Sequence, residues 1–250
     1  VESAVNADLI IAIFSKEHLA ACKQAFERTG KKPKVHVKLD TGMNRIGVAA
    51  DVAAGFINEV RKADYLEFGG VFTHLANAEN RAKTQIQIDR WNSVISQIDT
   101  TGLLLHILNT AGAMCYDVPN SNMYRAGIGI YGLYPDLPED GNIRRPDLKP
   151  VMSLKARIVN IHEAHDGEGI SYGHTFTAHG NRKIATVPLG YADGVPRGLS
   201  NKISGNLNGK DVPQVGNITM DQMMFDITGV DAKPGDIITL LDEKHSIDNW

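Results

Sequence analysis

Cysteine is scarce: Cys22 and Cys115 are the only two in 250 residues. Two residues cannot build a disulfide framework or a four-cysteine metal site. Far apart in sequence and set in apolar company, they read as buried free thiols in a reducing cytosol, so a cytoplasmic protein is expected. Aromatic residues make up only 6 % of the chain, and no apolar run approaches a membrane span. Neither sign of charge is in excess, with 26 Lys and Arg against 29 Asp and Glu, a net charge of −3. That balance argues against a nucleic-acid or anionic-membrane partner. What is present, 42 % hydrophobic and 22 % charged residues, describes an ordinary globular protein of one large or two modest domains. The chain opens on Val1 and stops at HSIDNW without a closing element, so both ends are expected to be internal to a longer protein.

From Asp8 onward, short apolar runs alternate with amphipathic stretches. Leu9–Phe14, Val35–Leu39, Gly70–His74, Leu103–Leu108 and Met123–Ile130 read as strands. Ser15 is placed to cap a helix that carries Leu19, Cys22 and Phe26 on one face and ends at Gly30. Asp51 is expected to cap a second helix with Phe56, Ile57 and Val60. A third holds the stripe Ile88, Trp91, Val94, Ile95 and Ile98, closed by Gly102. This rhythm means βα units and a parallel sheet, in an open doubly wound or a barrel arrangement. Lys38, Asp40, Arg45, His74, His106, Asn109, Thr110 and Arg125 all fall at or just past strand C-terminal ends, which favours the barrel. Near Pro146–Pro150 the pattern changes. Ser153–His162, Lys183–Leu189, Asp211–Val215, Met223–Ile227 and Asp236–Leu241 alternate as strands, with turns at Asp166-Gly167, Asn208-Gly209 and Pro234-Gly235. Two domains are expected, an α/β one over 1–148 and a mostly β one over 149–250.

The segment Asn122–Tyr134, NMYRAGIGIYGLY, places Arg125 ahead of Gly127, Gly129 and Gly132. Those glycines fit a dinucleotide fingerprint, but Pro135 and Pro138 stand where its helix must continue. A phosphate cradle using the bare amides around Gly127 and Ile128 fits better. The histidines His162 and His165 have metal-like spacing but lie on a strand-to-turn segment and share no helical face, so no metal site is expected.

Seven motifs then occur in order: KLDTGMNRIGV (Lys38–Val48), GVFTHLANAE (Gly70–Glu79), HILNTAG (His106–Gly112), MYRAGIGIYGLYP (Met123–Pro135), ISYGHTF (Ile170–Phe176), VPLGYADGVPRGLS (Val187–Ser200) and VGNITMDQMM (Val215–Met224). Across essentially its whole length the chain resembles the alanine racemase family. The resemblance implies a pyridoxal 5'-phosphate (PLP) isomerase that interconverts L- and D-alanine for peptidoglycan precursors. It also implies a (β/α)8 TIM-type barrel, of which 1–148 would be the last five βα units, followed by a C-terminal β-domain. The family acts as a cytoplasmic homodimer with its active site shared between subunits.

By the same resemblance Tyr172 is the base for the L-enantiomer, reaching into the partner's barrel mouth. An unperturbed tyrosine titrates near pH 10, roughly, so it needs a cationic or hydrogen-bonding neighbour, for which His74 and His106 are candidates through Arg125. Arg125 would face the pyridine nitrogen of PLP and, never giving up its proton, keep that nitrogen unprotonated. Thr110, Gly127 and Ile128 would hold the phosphate. Arg45 and Met220 would meet substrate, and Lys38 matches a lysine that some members carry as a carbamate paired with Arg45. Tyr191 and Asp193 would line an entry channel or stand just behind the residues that touch substrate, and Asp221 would anchor the Met220 loop. Asn217 and Thr219 depart from the arginine and the cysteine or serine usual in the family. The family's Schiff-base lysine belongs to a K-A-N-A-Y-G-H-G type motif that these 250 residues do not contain, so the segment alone is expected to be inactive. Alternatives on the same scaffold are a serine or broad-specificity racemase, or a decarboxylase, which Arg125 disfavours. A non-catalytic PLP-binding or dimerisation module is the alternative of another class.

Overall fold

The computed structural model describes residues Val1–Trp250, the side chain of Asn249 excepted. The chain divides into two compact units, Val1–Leu148 and Lys149–Trp250.

The first unit opens with a short helix α1 (Glu2–Asn6) and then alternates. Strand β1 (Ile10–Ile13) leads to helix α2 (Lys16–Thr29), and β2 (Lys34–Asp40) and the two-residue β3 (Val48–Ala49) lead to α3 (Ala50–Lys62). Then come β4 (Glu67–Phe72), α4 (Arg81–Ile95), β5 (Leu104–His106) and α5 (Thr110–Cys115). The strands run in the order β1-β2-β4-β5, all parallel, with β3 beside β2. Parallel strands covered by helices must be apolar on the helix-facing side, and Val35, Val37, Leu39 and Val71 are fully buried there. Ser15 caps α2 through the His18 amide, and Gly30 ends it at φ 69°. Trp91 on α4 is fully buried and donates from Nε1 to the Asn120 carbonyl at 3.3 Å.

Three expectations for this unit are corrected. Asp51 does not cap α3: Ala49 occupies the cap without a side-chain bond, and Asp51 sits in the first turn. Helix α4 stops at Ile95 with Ser96 as its cap, and Gly102 (φ 75°) belongs to the turn that follows. Met123–Ile130 forms no strand. Beside β5 the Asn122 side chain stands in for backbone, accepting from the Leu105 amide at 2.8 Å and donating to the Leu103 carbonyl at 3.1 Å. Only the Asn122 and Arg125 amides reach β5 carbonyl oxygens or their neighbours, on Leu105 and Leu108. The glycines then let the chain curl into a 3-10 turn over Ile128–Tyr131.

The second unit is built of strands: β6 (Leu154–Arg157), β7 (Asn160–Ala164), β8 (Gly169–Ile170), β9 (Phe176–Thr177), β10 (Arg182–Val187), β11 (Ser204–Leu207), β12 (Lys210–Val215), β13 (Met223–Asp226) and β14 (Ile237–Leu241). Seven of them order as β6-β14-β11-β12-β13-β10-β7, and β8 pairs with β9. The run Ser153–His162, expected as one strand, is two. It breaks at Ile158–Val159, where the Ile158 amide bonds Asp236 and the Val159 amide bonds Thr186. One extended run therefore supplies both ends of the sheet path, a corner that leaves little open edge. Asn208 (φ 53°) and Gly209 (φ 83°) make the tight turn between β11 and β12. The expectations missed β11, whose Gly205-Asn206 pair carries no β-forming signal.

Candidate active site

In the first unit, the C-terminal ends of β2, β4 and β5 set Lys38, Phe72 and His106 side by side in register. Lys38 is buried, and its Nζ donates to the Leu39 carbonyl at 2.8 Å. Burial lowers its pKa to about 8, opposed by the Asp40 carboxylate and assisted by the Arg125 and Arg45 charges. His106 stacks flat on Phe72, ring centres 4.8 Å apart. Arg125 lies with its guanidinium over the same Phe72 ring at 5.4 Å.

Arg125 is held by its two terminal amino groups. Nη1 donates to the His106 carbonyl at 3.0 Å and meets His106 Nδ1 at 2.5 Å. Nη2 donates to the Thr73 carbonyl at 2.5 Å and meets His74 Nδ1 at 3.3 Å. An arginine only donates, so both histidine nitrogens must be lone pairs. Burial, and after it the Arg125 charge, depress the pKa of His106 to about 3. The same two causes lower that of His74. Both rings are therefore neutral acceptors in the physiological range.

A buried polar network fastens the loop after β4. Thr41 and Thr73 share a hydroxyl contact of 2.9 Å, and the Thr73 hydroxyl donates to the Leu39 carbonyl at 3.0 Å. From α4, Gln87 donates to the Thr41 hydroxyl and to the His74 carbonyl and accepts from the Ala76 amide. The apolar stripe read for α4 thus carries one polar residue that holds His74 in place. Arg45 stands exposed in the loop after β2.

Thr110, buried at the start of α5, accepts the Gly129 amide on its hydroxyl at 3.2 Å. A Cβ on Gly129 would lie 2.9 Å from the Thr110 methyl, whereas one on Gly127 would meet nothing within 4 Å. The glycine that close approach demands is therefore Gly129. Gly127 instead adopts φ −12°, ψ −101° to start the turn. The turn's own amide bonds begin at Ile130, so the amides of Gly127 and Ile128 stand ahead of its hydrogen-bonded stretch.

Among the described residues, Lys38, Arg45 and Arg125 make no ion pair with a carboxylate. A row of cations, a hydroxyl and turn amides suits a ligand that is anionic and bears a phosphate. The Nε–H of Arg125, left over once Nη1 and Nη2 are spent, suits a ring nitrogen. The donor set fits PLP.

Tyr172 and Met220 lie in the second unit, on the wall of a cavity of about 860 Å³ shared with His174, Tyr191, Arg197 and Asp221. Tyr172 is 74 % exposed, and its loop is pinned by left-handed backbone at Ser171 (φ 64°), Gly173 (φ 72°) and His174 (φ 47°). Gly190 lets the chain before Tyr191 press on Thr219–Met220: a Cβ there would lie 2.3 Å from the Thr219 carbonyl. The Thr219 hydroxyl closes its own loop on Gln222. The structure thus gathers Lys38, His74, His106 and Arg125 into one group, Thr110 with the Gly127–Gly129 turn into another, and Tyr172 with Met220 into a third. Sequence reasoning missed His36, whose Nδ1 lies 2.9 Å from His106 Nε2. The signal for it was the pair Gly69-Gly70 inside a strand.

A family model described as alanine racemase, N-terminal domain, matches residues 1–135, and one described as alanine racemase, C-terminal domain, matches 151–250. An alanine racemase of Nostoc sp. is 40 % identical over 226 residues, 86 % of this chain and 58 % of that protein. The structure of an alanine racemase of Clostridium difficile superposes with a TM-score of 0.86 at 35 % identity, covering 98 % of this chain and 65 % of that one. The alanine racemase of Bartonella henselae, solved with covalently bound pyridoxal phosphate, gives 0.80 at 26 % identity over 99 % of this chain and 68 % of that one. The chain spans about three-fifths of the length of the curated relatives it matches. Its fold is thereby part of a (β/α)8 barrel followed by a mostly β domain.

Proposed function

Because the chain belongs to the alanine racemase family, we propose that it supplies most of the active site of a PLP-dependent enzyme that interconverts L- and D-alanine. The observation that carries this reading is the Arg125 guanidinium, tied by both terminal amino groups to Thr73, His74 and His106 with Nε–H left over. PLP, when bound, delocalises the charge left on the substrate's α-carbon as its proton departs. Arg125 holds the ring nitrogen unprotonated, because a guanidinium gives up no proton to it. That weakens the electron sink and limits side reactions of the transamination kind. An aspartate there would favour them, and would suit a decarboxylase.

The Thr110 hydroxyl and the amides of Gly127 and Ile128 hold the phosphate, and Arg45 receives the substrate carboxylate. Tyr172, offered to the neighbouring copy in a homodimer, takes the α-proton from the L-enantiomer and returns it from that face. Met220 bounds the substrate pocket beside it. Lys38 reacts as a neutral amine with carbon dioxide, forming an N–C bond and releasing a proton, and the resulting carbamate pairs with Arg45. The setting is the cytoplasm, where D-alanine feeds cell-wall precursors. Among the described residues, no helix is long and apolar enough to cross a membrane.

The test joins this chain to a family segment bearing the cofactor lysine. Conversion of L-alanine to D-alanine, followed by loss of optical activity, is expected. A folded, PLP-containing protein that racemises serine instead, or nothing, would overturn the assignment.

A further inference from the structure

His36 lies on β2 and His106 on β5, with β4 between them, so two imidazoles should not meet across it. They do because the intervening position is Gly70, paired with His36 on one side and Leu104 on the other. A Cβ on Gly70 would lie 2.5 Å from the Leu104 carbonyl oxygen, 2.9 Å from His36 Cε1 and 3.0 Å from Nδ1, and one on Gly69 would lie 3.1 Å from His36 Nε2. The two glycines clear a slot, and the His36 ring reaches through it to His106 Nε2 at 2.9 Å.

The hydrogens on this row follow from one fixed point. Arg125 can only donate, so His106 Nδ1 must accept. A neutral imidazole that accepts at Nδ1 carries its proton on Nε2, and that N–H points at His36 Nδ1. His36 must therefore accept there and carry its own proton on Nε2. Adding a proton to His36 sets donor against donor, and adding one to His106 does the same against Arg125. Lys38 and His74, which also face this group, bring a cation and another neutral acceptor, so neither relieves such a clash.

We propose that His36 is a positioning residue for Arg125: by accepting the Nε2–H of His106 it holds that ring with its Nδ1 lone pair on the guanidinium, and so keeps the Arg125 Nε–H aimed. That the aim is at a cofactor ring nitrogen rests on the function proposed above. The hydrogen-bond order Arg125 to His106 to His36 does not.

The test is nitrogen NMR of the full chain carrying ¹⁵N-histidine, without cofactor and then with PLP. His36 and His106 are expected to be neutral, with bare Nδ1 and protonated Nε2. In His36→Gln, where the amide oxygen accepts in place of the ring, the His106 signals stay. In His36→Leu they collapse towards exchange between tautomers. A protonated Nδ1 on His106 in the unsubstituted chain overturns the proposal, even if that variant fails to fold. So do unmoved His106 signals in a folded His36→Leu. Correct tautomers in a chain that refuses PLP even when joined to the family's lysine segment would instead count against the proposed function and leave this hydrogen-bond order standing.

Discussion

The side-chain amide of Asn217 donates to the Tyr172 carbonyl at 2.6 Å, while the Ser171 hydroxyl donates to the carbonyl of Asn217 at 2.7 Å. Two loops far apart in sequence are thereby tied on both sides of the proposed base. An asparagine at this position, where the family usually has arginine, is thus integrated into the loop that carries Tyr172. Asn217→Ala is expected to cost about 1 kcal/mol of stability from the lost bond. Because the bond fixes the backbone beneath Tyr172, kcat of a protein completed with the family's lysine segment should also fall, by about fivefold if the same energy is lost from the transition state. Affinity for PLP, held in the other unit, should not change. Urea unfolding together with steady-state kinetics checks both parts, and an unchanged kcat would mean the tie does not govern Tyr172.

Acid should weaken the first unit through its histidines. His106, held to about 3 in the fold, titrates near its ordinary value of about 6.5 once unfolded. Above that value both states carry a neutral ring, and its burial costs nothing extra. As pH falls below it, the unfolded chain takes up a proton that the folded chain refuses. Stability then drops until pH has passed the folded value, by at most about 1.4 kcal/mol per pH unit for one proton. His36 and His74, also lowered, act in the same direction. Urea midpoints between pH 8 and pH 4 (a range of roughly the histidine titration and below) should fall on the acid side, and more shallowly in His106→Gln.

Lys38 should show carbamate chemistry. An amine whose pKa burial lowers to about 8, against the pull of the Asp40 carboxylate, is partly neutral at mild alkaline pH, and among the described residues it makes no ion pair. Under ¹³C-bicarbonate the protein should give a carbamate carbon signal that grows as pH rises and is missing in Lys38→Arg. No signal in the unsubstituted protein would leave Lys38 a plain amine bonded to the Leu39 carbonyl.

Gln87 should prove more costly to lose than its place on an amphipathic helix implies. It satisfies the Thr41 hydroxyl, the His74 carbonyl and the Ala76 amide from a buried position. Gln87→Leu keeps the volume but strips partners from buried polar groups, a loss of about 1–3 kcal/mol. The same change frees His74, so PLP affinity should fall with stability. A thermal melt and a cofactor titration read the two effects.

The βα alternation was legible because parallel strands and their helices print their burial at periods of two and 3.6. The Ser15 cap and the Gly30 stop were legible because each acts within one turn of chain. Met123–Ile130 misled because β-branched residues between glycines look like a strand; its pairing with β5 is replaced by one side chain, Asn122. Lys38, His74, His106 and Thr110 could be placed at or just past strand ends because each follows a short apolar run that reads as a strand. His36 could not. Its partner is 70 positions away, and what lets them touch is an absent side chain on the strand between.

Tyr172→Phe separates the two faces of the proposed reaction. The ring and its loop should survive, since the ties run through the Tyr172 carbonyl and the Ser171 hydroxyl, not through the phenol. Only the proton carrier is lost, and a positioned general base typically contributes about 10²–10⁴-fold. In a protein completed with the family's lysine segment, exchange of the α-hydrogen of L-alanine with deuterated water should fall by that order. Exchange from D-alanine, whose α-hydrogen lies on the opposite face, should fall far less. The 250-residue chain by itself, without a K-A-N-A-Y-G type motif, should turn over neither enantiomer. Equal exchange from both enantiomers in Tyr172→Phe would remove Tyr172 from the reaction, and turnover by the chain alone, prepared from cells without a racemase, would mean that a lysine among these residues serves in the missing one's place.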